Sequence, residues 1–336
     1  MNLLPKPKKI TEKGGQLLLC HSMYIVISKE ISDNGIYAAK RLQEAIRQET
    51  GLLLRLSVGE TRDGDFSLRI TETLSEQAYE ITINENGVQI LGGDGAGVLY
   101  GVETFCQILQ QYGGALPCMQ IMDAPDMPNR GYYFDQTRGR ILKLEELKKI
   151  ADRMSHYKLN QLQLYVEHTY LFRDFSEMWR DQTPITAEEV RELDSYCRER
   201  HIELVPSLAS FGHLCTLLST KTYGDLCEME DSWKEPFSFW NRMRYHTINV
   251  SDGRSLPLIK KMIAEYMQLF SSDKFNICAD ETFCLGKYKS KELAKECGIH
   301  RLYIDYVKEL AQFLVENGKI PMFWGDIIWN SPELMK

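Results

Sequence analysis

The sequence predicts an α/β chain of two domains. A small α+β domain covers residues 1–125, and a (β/α)8 TIM-barrel type domain covers residues 126–336, with its C-terminal strands missing. Three observations carry that reading. The length, 336 residues, is more than one core ordinarily holds. Two prolines and two aspartates in Asp123-Ala124-Pro125-Asp126-Met127-Pro128-Asn129 read as a linker. Strand and helix patterns alternate regularly after that linker and are mixed before it.

Before the linker, residues 23–28 read as a strand. Residues 37–50 carry Ala38, Leu42, Ala45 and Ile46 at helical spacing and stop at Gly51. Residues 53–58, 66–70 and 79–83 read as short strands. Asn84-Glu85-Asn86-Gly87 is a hairpin-type turn that leads into a strand at 88–91. A helix over 97–112 then buries Val98, Val102, Cys106, Ile108 and Leu109, which gives one sheet with helices against it.

After the linker, strands are expected at 130–135, 161–166, 203–208, 274–279 and 320–324. Helices are expected at 144–157, 186–200, 255–270 and 302–317. Thr186 and Glu189 form a capping-box pattern at the start of the second helix. Apolar, β-branched strands between helices imply a parallel sheet, either doubly wound or barrel. Chemistry-bearing residues favour the barrel, because they gather at strand ends: Asp135, Glu167-His168, residues 207–213, Asp280-Glu281, Trp324 and Asp326. The run Gly92-Gly93-Asp94-Gly95-Ala96-Gly97 lacks the βαβ setting of a nucleotide loop and reads as a tight turn. Five barrel strands are counted where about eight close a barrel, so the expectation is an incomplete barrel.

Composition narrows the function. A net charge of −7 and no Lys/Arg-rich block argue against nucleic acid as a partner. No window approaches a membrane span, and residues 1–16 hold no signal-like apolar run. Nine scattered cysteines with no CxxC pair suit reduced thiols and a cytoplasmic setting. The histidine pairs His201/His213 and His156/His168 are not at HExxH spacing, and no GxSxG elbow occurs. No metal and no cofactor are therefore expected.

The central motif is Phe275-Asn276-Ile277-Cys278-Ala279-Asp280-Glu281-Thr282, a buried strand delivering two acids to its mouth. Carboxylates so close repel one another, which raises at least one pKa and keeps one acid protonated for a leaving oxygen. Two solvated acids at a strand end is the plainer alternative.

This motif resembles glycoside hydrolase family 20, the β-N-acetylhexosaminidases, whose hallmark is an adjacent Asp-Glu after a barrel strand. The likeness runs along nearly the whole chain. The opening Leu4-Pro5-Lys6-Pro7-Lys8-Lys9-Ile10 and the run Gly97-Val98-Leu99-Tyr100-Gly101-Val102-Glu103-Thr104 resemble that family's non-catalytic first domain. Asp123-Ala124-Pro125 through Asn129-Arg130-Gly131 resembles its entry to the barrel. Leu164-Tyr165-Val166-Glu167-His168-Thr169-Tyr170 and Cys284-Leu285-Gly286-Lys287 resemble its intracellular, exo-acting N-acetylglucosaminidase branch.

The resemblance implies roles. Glu281 would be the general acid and base. Asp280 would hold the substrate's own 2-acetamido group as it attacks the anomeric carbon to form an oxazolinium ion, a departure from the two-carboxylate scheme. Arg130 matches a sugar-binding arginine; a structural salt bridge at the strand's start is the other reading. His213, after Phe211-Gly212, matches the family's Gly-His and would orient a carboxylate, contact the sugar or be structural. Glu167-His168 stands where much of the family has paired aspartates, and both would bind the substrate; His168 would bond Glu281 or solvate the rim. Trp324 would stack on the sugar or fill the core. Asp326 would accept a hydroxyl. The implied partners are N-acetylhexosamine-containing glycans or glycoconjugates, with room for a homo-oligomer. Two alternatives stay open: an inactive truncated fragment or non-catalytic sugar-binding protein of the same fold, and a glycosidase using two separate carboxylates such as Glu167 and Glu281.

Overall fold

The computed structural model describes residues 1–29, 31, 34–234 and 238–329. It separates into two compact units: Met1–Gly131 with Lys148–Gln161 and Tyr196–Ile202, and Tyr132–Leu147 with Leu162–Ser195 and Glu203–Lys336.

The first unit is built on a seven-stranded mixed sheet. In chain order its strands are β1 (Lys9–Leu18), β2 (Tyr24–Ile27), β3 (Arg55–Val58), β4 (Phe66–Ile70), β5 (Tyr79–Asn84), β6 (Gly87–Gly92) and β7 (Ala115–Asp123). Across the sheet the order is β1-β7-β5-β6-β4-β2-β3. The expected hairpin joins β5 to β6, with Asn84 paired to Gly87 and Gly87 at φ 129°, a left-handed backbone that glycine adopts without strain.

Sequence reading missed β1 and β7. β1 is almost wholly exposed, lies at the sheet's edge and breaks register between Glu12 and Gln16, so it carries no period-2 apolar signal. The glycine run is a helix entry. Asp94 caps the helix Gly95–Tyr112, its Oδ1 accepting from the Gly97 amide at 2.7 Å. That helix buries every residue from Ala96 to Leu109 and packs beside the helix Asn34–Thr50 over a core that includes Phe66, Ile81, Ile90 and Phe105.

The second sheet holds β8 (Gly131–Asp135), β9 (Gln161–Val166), β10 (Glu203–Leu208), β11 (Lys274–Asn276) and β12 (Ile320–Met322). Their order is strictly sequential, β8 to β12, with β10, β11 and β12 paired in parallel. A helix separates each successive pair: Leu144–His156, Ala187–Glu199, Ser255–Met267 and Ile299–Glu316. Sequential order with intervening helices is the (β/α)-barrel pattern, and it excludes the reversal of a doubly wound sheet. The capping box forms: the Thr186 amide donates to Glu189 and the Glu189 amide to Thr186 Oγ1. β11 is three residues long, shorter than the sequence pattern, because the backbone turns left-handed at Cys278. The last seven residues of the expected barrel domain, 330–336, lie outside the described residues.

Phe105 is fully buried and meets Phe66 edge-on at 5.4 Å between ring centroids. Phe105→Ala is expected to destabilise the first unit by about 3–5 kcal/mol, read from urea denaturation of the two proteins.

Candidate active site

The site begins where β11 stops. The Asn276 side chain accepts from the Cys278 amide at 2.9 Å and donates to Gln163 at 3.0 Å. The chain then takes left-handed backbone at Cys278 (φ 59°), Ala279 (φ 61°) and Glu281 (φ 46°). Non-glycine residues held there cost on the order of 1 kcal/mol each, and such positions gather at functional sites.

Neighbouring contacts hold the turn in place. Ser210 Oγ donates to the Ile277 carbonyl at 2.6 Å, Tyr303 OH to the Ala279 carbonyl at 3.0 Å, and the Trp324 amide to the Cys278 carbonyl at 2.9 Å. Gly212 packs against the same turn, where a Cβ would stand 2.6 Å from the Asp280 carbonyl oxygen.

The result is convergence. In a regular strand Asp280 and Glu281 would point to opposite faces. Here His213 Nε2 stands 3.4 Å from Asp280 Oδ2 and 3.3 Å from Glu281 Oε2. His213 is buried, also at left-handed φ, and neither ring nitrogen has hydrogen-bond geometry to a partner. Asp280 is the more enclosed acid, its side chain 24% exposed against 41% for Glu281. The nearest side-chain N and O atoms of His213, Asp280 and Glu281 lie within 4.8 Å of one another, a spacing that could hold a cation.

Trp324 and Asp326 border this turn. Trp324 is 39% exposed and meets Tyr133 edge-on at 5.1 Å. Burial, and then the neighbouring Asp280 charge, hold the Asp326 carboxyl above its ordinary value. Beneath them Tyr133 OH lies 2.9 Å from Ser207 Oγ, which lies 3.3 Å from Cys278 Sγ; burial pushes that thiol up to about 12.

Glu167, at the end of β9, is buried between two arginines. Its Oε1 accepts from Tyr165 OH at 2.9 Å and Arg138 Nε at 3.2 Å, and its Oε2 from Arg242 Nη2 at 2.8 Å. His168 does not solvate a rim. It is 5% exposed, with Nδ1 3.9 Å from Glu167 and unpartnered, and burial pushes its pKa down to about 4.

Arg130 needs correction. Its guanidinium donates to Lys158 O, Met127 O, Pro128 O, Gln77 Oε1 and Tyr100 OH, all within the first unit. An arginine has five N–H donors, so none is left for a sugar hydroxyl. The geometry supports a structural role, held by neutral acceptors rather than by the expected salt bridge.

Sequence reading missed Arg138, Arg242 and Gly212. Arg138 follows β8, where Asp135 Oδ1 accepts from the Thr137 and Arg138 amides at 2.8 Å, an Asx-type turn that brings the arginine back over the strand's mouth. An Asp three residues before an Arg at a strand end was the available signal. Arg242 lies in the long connection between β10 and the helix Ser255–Met267, whose length is itself a functional hint.

A strained, convergent pair of acids at the mouth of a sequentially ordered parallel sheet lies where (β/α)-barrel enzymes place their active sites. The family follows from comparison. Residues 1–124 match the model of glycosyl hydrolase family 20, domain 2, and residues 127–336 that of the glycosyl hydrolase family 20 catalytic domain; the chain belongs to this family. A beta-hexosaminidase of Porphyromonas gingivalis is 23% identical over 98% of this chain and 46% of its own length. One from Akkermansia muciniphila is 30% identical over 50% of this chain and 36% of its own. The Flavobacterium johnsoniae chitobiase structure matches with a TM-score of 0.84 at 20% identity, over 97% of this chain and 52% of that one. The exo-β-N-acetylglucosaminidase of Vibrio harveyi, solved with N-acetylglucosamine, matches with a TM-score of 0.77 at 21% identity, over 96% of this chain and 54% of that one. The chain spans about half the length of the curated relatives it matches first. No helix among the described residues is long and apolar enough to cross a membrane.

His168 supplies a pH test. The unfolded chain takes up its proton near pH 6.5 and the folded chain only near pH 4, so stability falls as pH drops through that window. His168→Asn is expected to lose less stability than the unsubstituted protein between pH 7 and pH 5, measured by urea denaturation at both. Equal losses would show that another group controls the acid limb.

Proposed function

We propose that this chain carries the catalytic acids of an exo-acting, retaining β-N-acetylhexosaminidase. The substrates are glycans or glycoconjugates ending in β-linked N-acetylglucosamine or N-acetylgalactosamine. The chemistry belongs to residues 126–336. The observation that carries this reading is the convergence of Asp280 and Glu281 on His213 at the end of β11.

Glu281, the more open acid, protonates the glycosidic oxygen as the bond to the anomeric carbon breaks. The substrate's acetamide oxygen attacks that carbon and closes an oxazolinium ring. Asp280, more enclosed, faces the acetamide nitrogen and stabilises the positive charge. Water then opens the ring, with Glu281 taking its proton and configuration retained. Arg138 offers donors to sugar hydroxyls, Asp326 accepts from one, and Trp324 presents ring surface to the sugar's C–H face. His213 stands against both acids, its Nε2 3.4 Å from Asp280 and 3.3 Å from Glu281. The scatter of nine cysteines along the chain with no CxxC pair supports a reducing, cytoplasmic setting.

The reading with Glu167 as a second catalytic carboxylate is weaker, because both of its oxygens are held by donors of the protein.

Glu281→Gln is expected to lower kcat on p-nitrophenyl β-N-acetylglucosaminide by roughly 10²–10⁴-fold, and Asp280→Asn to lower it comparably. A fully active Glu281→Gln protein would overturn the assignment. Gly212→Ala, whose methyl would press on the Asp280 and Glu281 carbonyls, is expected to cost about 100-fold in kcat by displacing both acids. Unchanged turnover in that variant would show that the turn does not depend on the close approach.

A further inference from the structure

We propose that Arg242 is a positioning residue for the sugar site, acting through Glu167 on Arg138. The inference rests on the glycosidase reading above and assigns Glu167 a different task from sugar binding.

Glu167 is 3% exposed, a burial that an unpaired carboxylate does not tolerate. Three side-chain donors satisfy it, and they divide between its two oxygens. Oε1 takes Arg138 Nε and Tyr165 OH; Oε2 takes Arg242 Nη2 at 2.8 Å, the shortest of the three. The Glu167 amide is also fixed, donating to Thr137 Oγ1 at 3.0 Å. Glu167 is thus a bridge between two guanidinium groups, and its orientation is set by whichever partners hold its two ends.

Arg138 is the end that meets substrate. Its guanidinium lies 4.9 Å over the Tyr165 ring and 3.7 Å from Asp135, and its side chain is 27% exposed. Its Nε is used on Glu167 and an Nη2 hydrogen on Tyr165 OH. The direction of the remaining donors follows from that anchoring.

Arg242 is the other end and comes from far along the chain. It sits on the six-residue helix Phe239–Arg244, capped by Ser238 Oγ and with no fully buried residue of its own. Phe239 and Trp240 on that helix are 58% and 65% exposed. The Arg242 side chain is nevertheless only 15% exposed, so it runs inward from an exposed helix to the buried carboxylate. The segment is also tied down by Cys284 Sγ on the Arg244 carbonyl and Cys227 Sγ on the Tyr245 carbonyl. Those ties keep the helix in place when the arginine is changed.

Removing Arg242 leaves Oε2 of a buried carboxylate without a donor. The carboxylate then turns towards Arg138 or admits water, and Arg138 loses its fixed direction. An interaction made equally in substrate and transition state is lost, so KM rises more than kcat falls.

The test compares Arg242→Gln and Arg242→Lys with the full chain on p-nitrophenyl β-N-acetylglucosaminide, with Tm measured beside the kinetics. Arg242→Gln is expected to raise KM about tenfold or more with kcat within about threefold, and Arg242→Lys to recover most of the KM. A KM within about twofold of the unsubstituted chain in Arg242→Gln, with only Tm lowered, would overturn the proposal and leave Arg242 a structural anchor. If the unsubstituted chain releases no p-nitrophenol, the glycosidase reading has failed separately. Calorimetric binding of N-acetylglucosamine to Glu281→Gln, with and without Arg242→Gln, then decides. Weaker binding in the double variant supports the inference; equal binding in the two proteins, or none in Glu281→Gln itself, overturns it.

Discussion

The site depends on how one strand ends. Had β11 continued with regular alternation, Asp280 and Glu281 would point apart, and no residue chosen for its chemistry would mend that. Left-handed backbone at Cys278, Ala279 and Glu281 folds both acids towards His213, and Ser210, Tyr303, the Trp324 amide and the bare Cα of Gly212 hold that backbone in place. These contacts reach the turn from the segment after β10, the helix before β12 and the end of β12. The barrel's sequential order brings them to one place, and the strain of the turn is offset by several hydrogen bonds and a close packing contact.

Charge is handled in two ways around this turn. Asp280 and Glu281 remain partly open and share a buried histidine rather than an arginine, which leaves their oxygens available to a substrate. Glu167 is buried between Arg138 and Arg242 and serves the protein instead. Three carboxylates that look alike in the sequence therefore do different work, and the difference lies in exposure and in what cations can reach them.

Much of this was legible in the chain. The alternation after the linker, the capping box at Thr186 and the adjacent acids carry local signals that the fold follows, and the hairpin forms one residue before its Asn-Gly pair, with Glu85-Asn86 as the loop and Gly87 in the strand. β1 escaped because an exposed, bulged edge strand has no apolar period. Arg130 stood between two readings because position at a strand's start says nothing of its partners, and its five donors are spent within the first unit. Arg242 and Glu167 are 75 residues apart, so their pairing is a property of the folded chain. Gly212 looked like part of a Gly-His motif; its role as the space beneath the acids is visible only from the turn it touches.

The central claim is that Asp280 serves the substrate's own acetamide. The direct measurement is inhibition by a thiazoline analogue of the oxazolinium intermediate, in the unsubstituted chain and in Asp280→Asn. The account predicts an inhibition constant at least about a hundredfold below KM in the former and a large loss of affinity in the latter, as a transition-state-like ligand requires. An active enzyme that binds the thiazoline no better than N-acetylglucosamine, or equally well in both proteins, would contradict it.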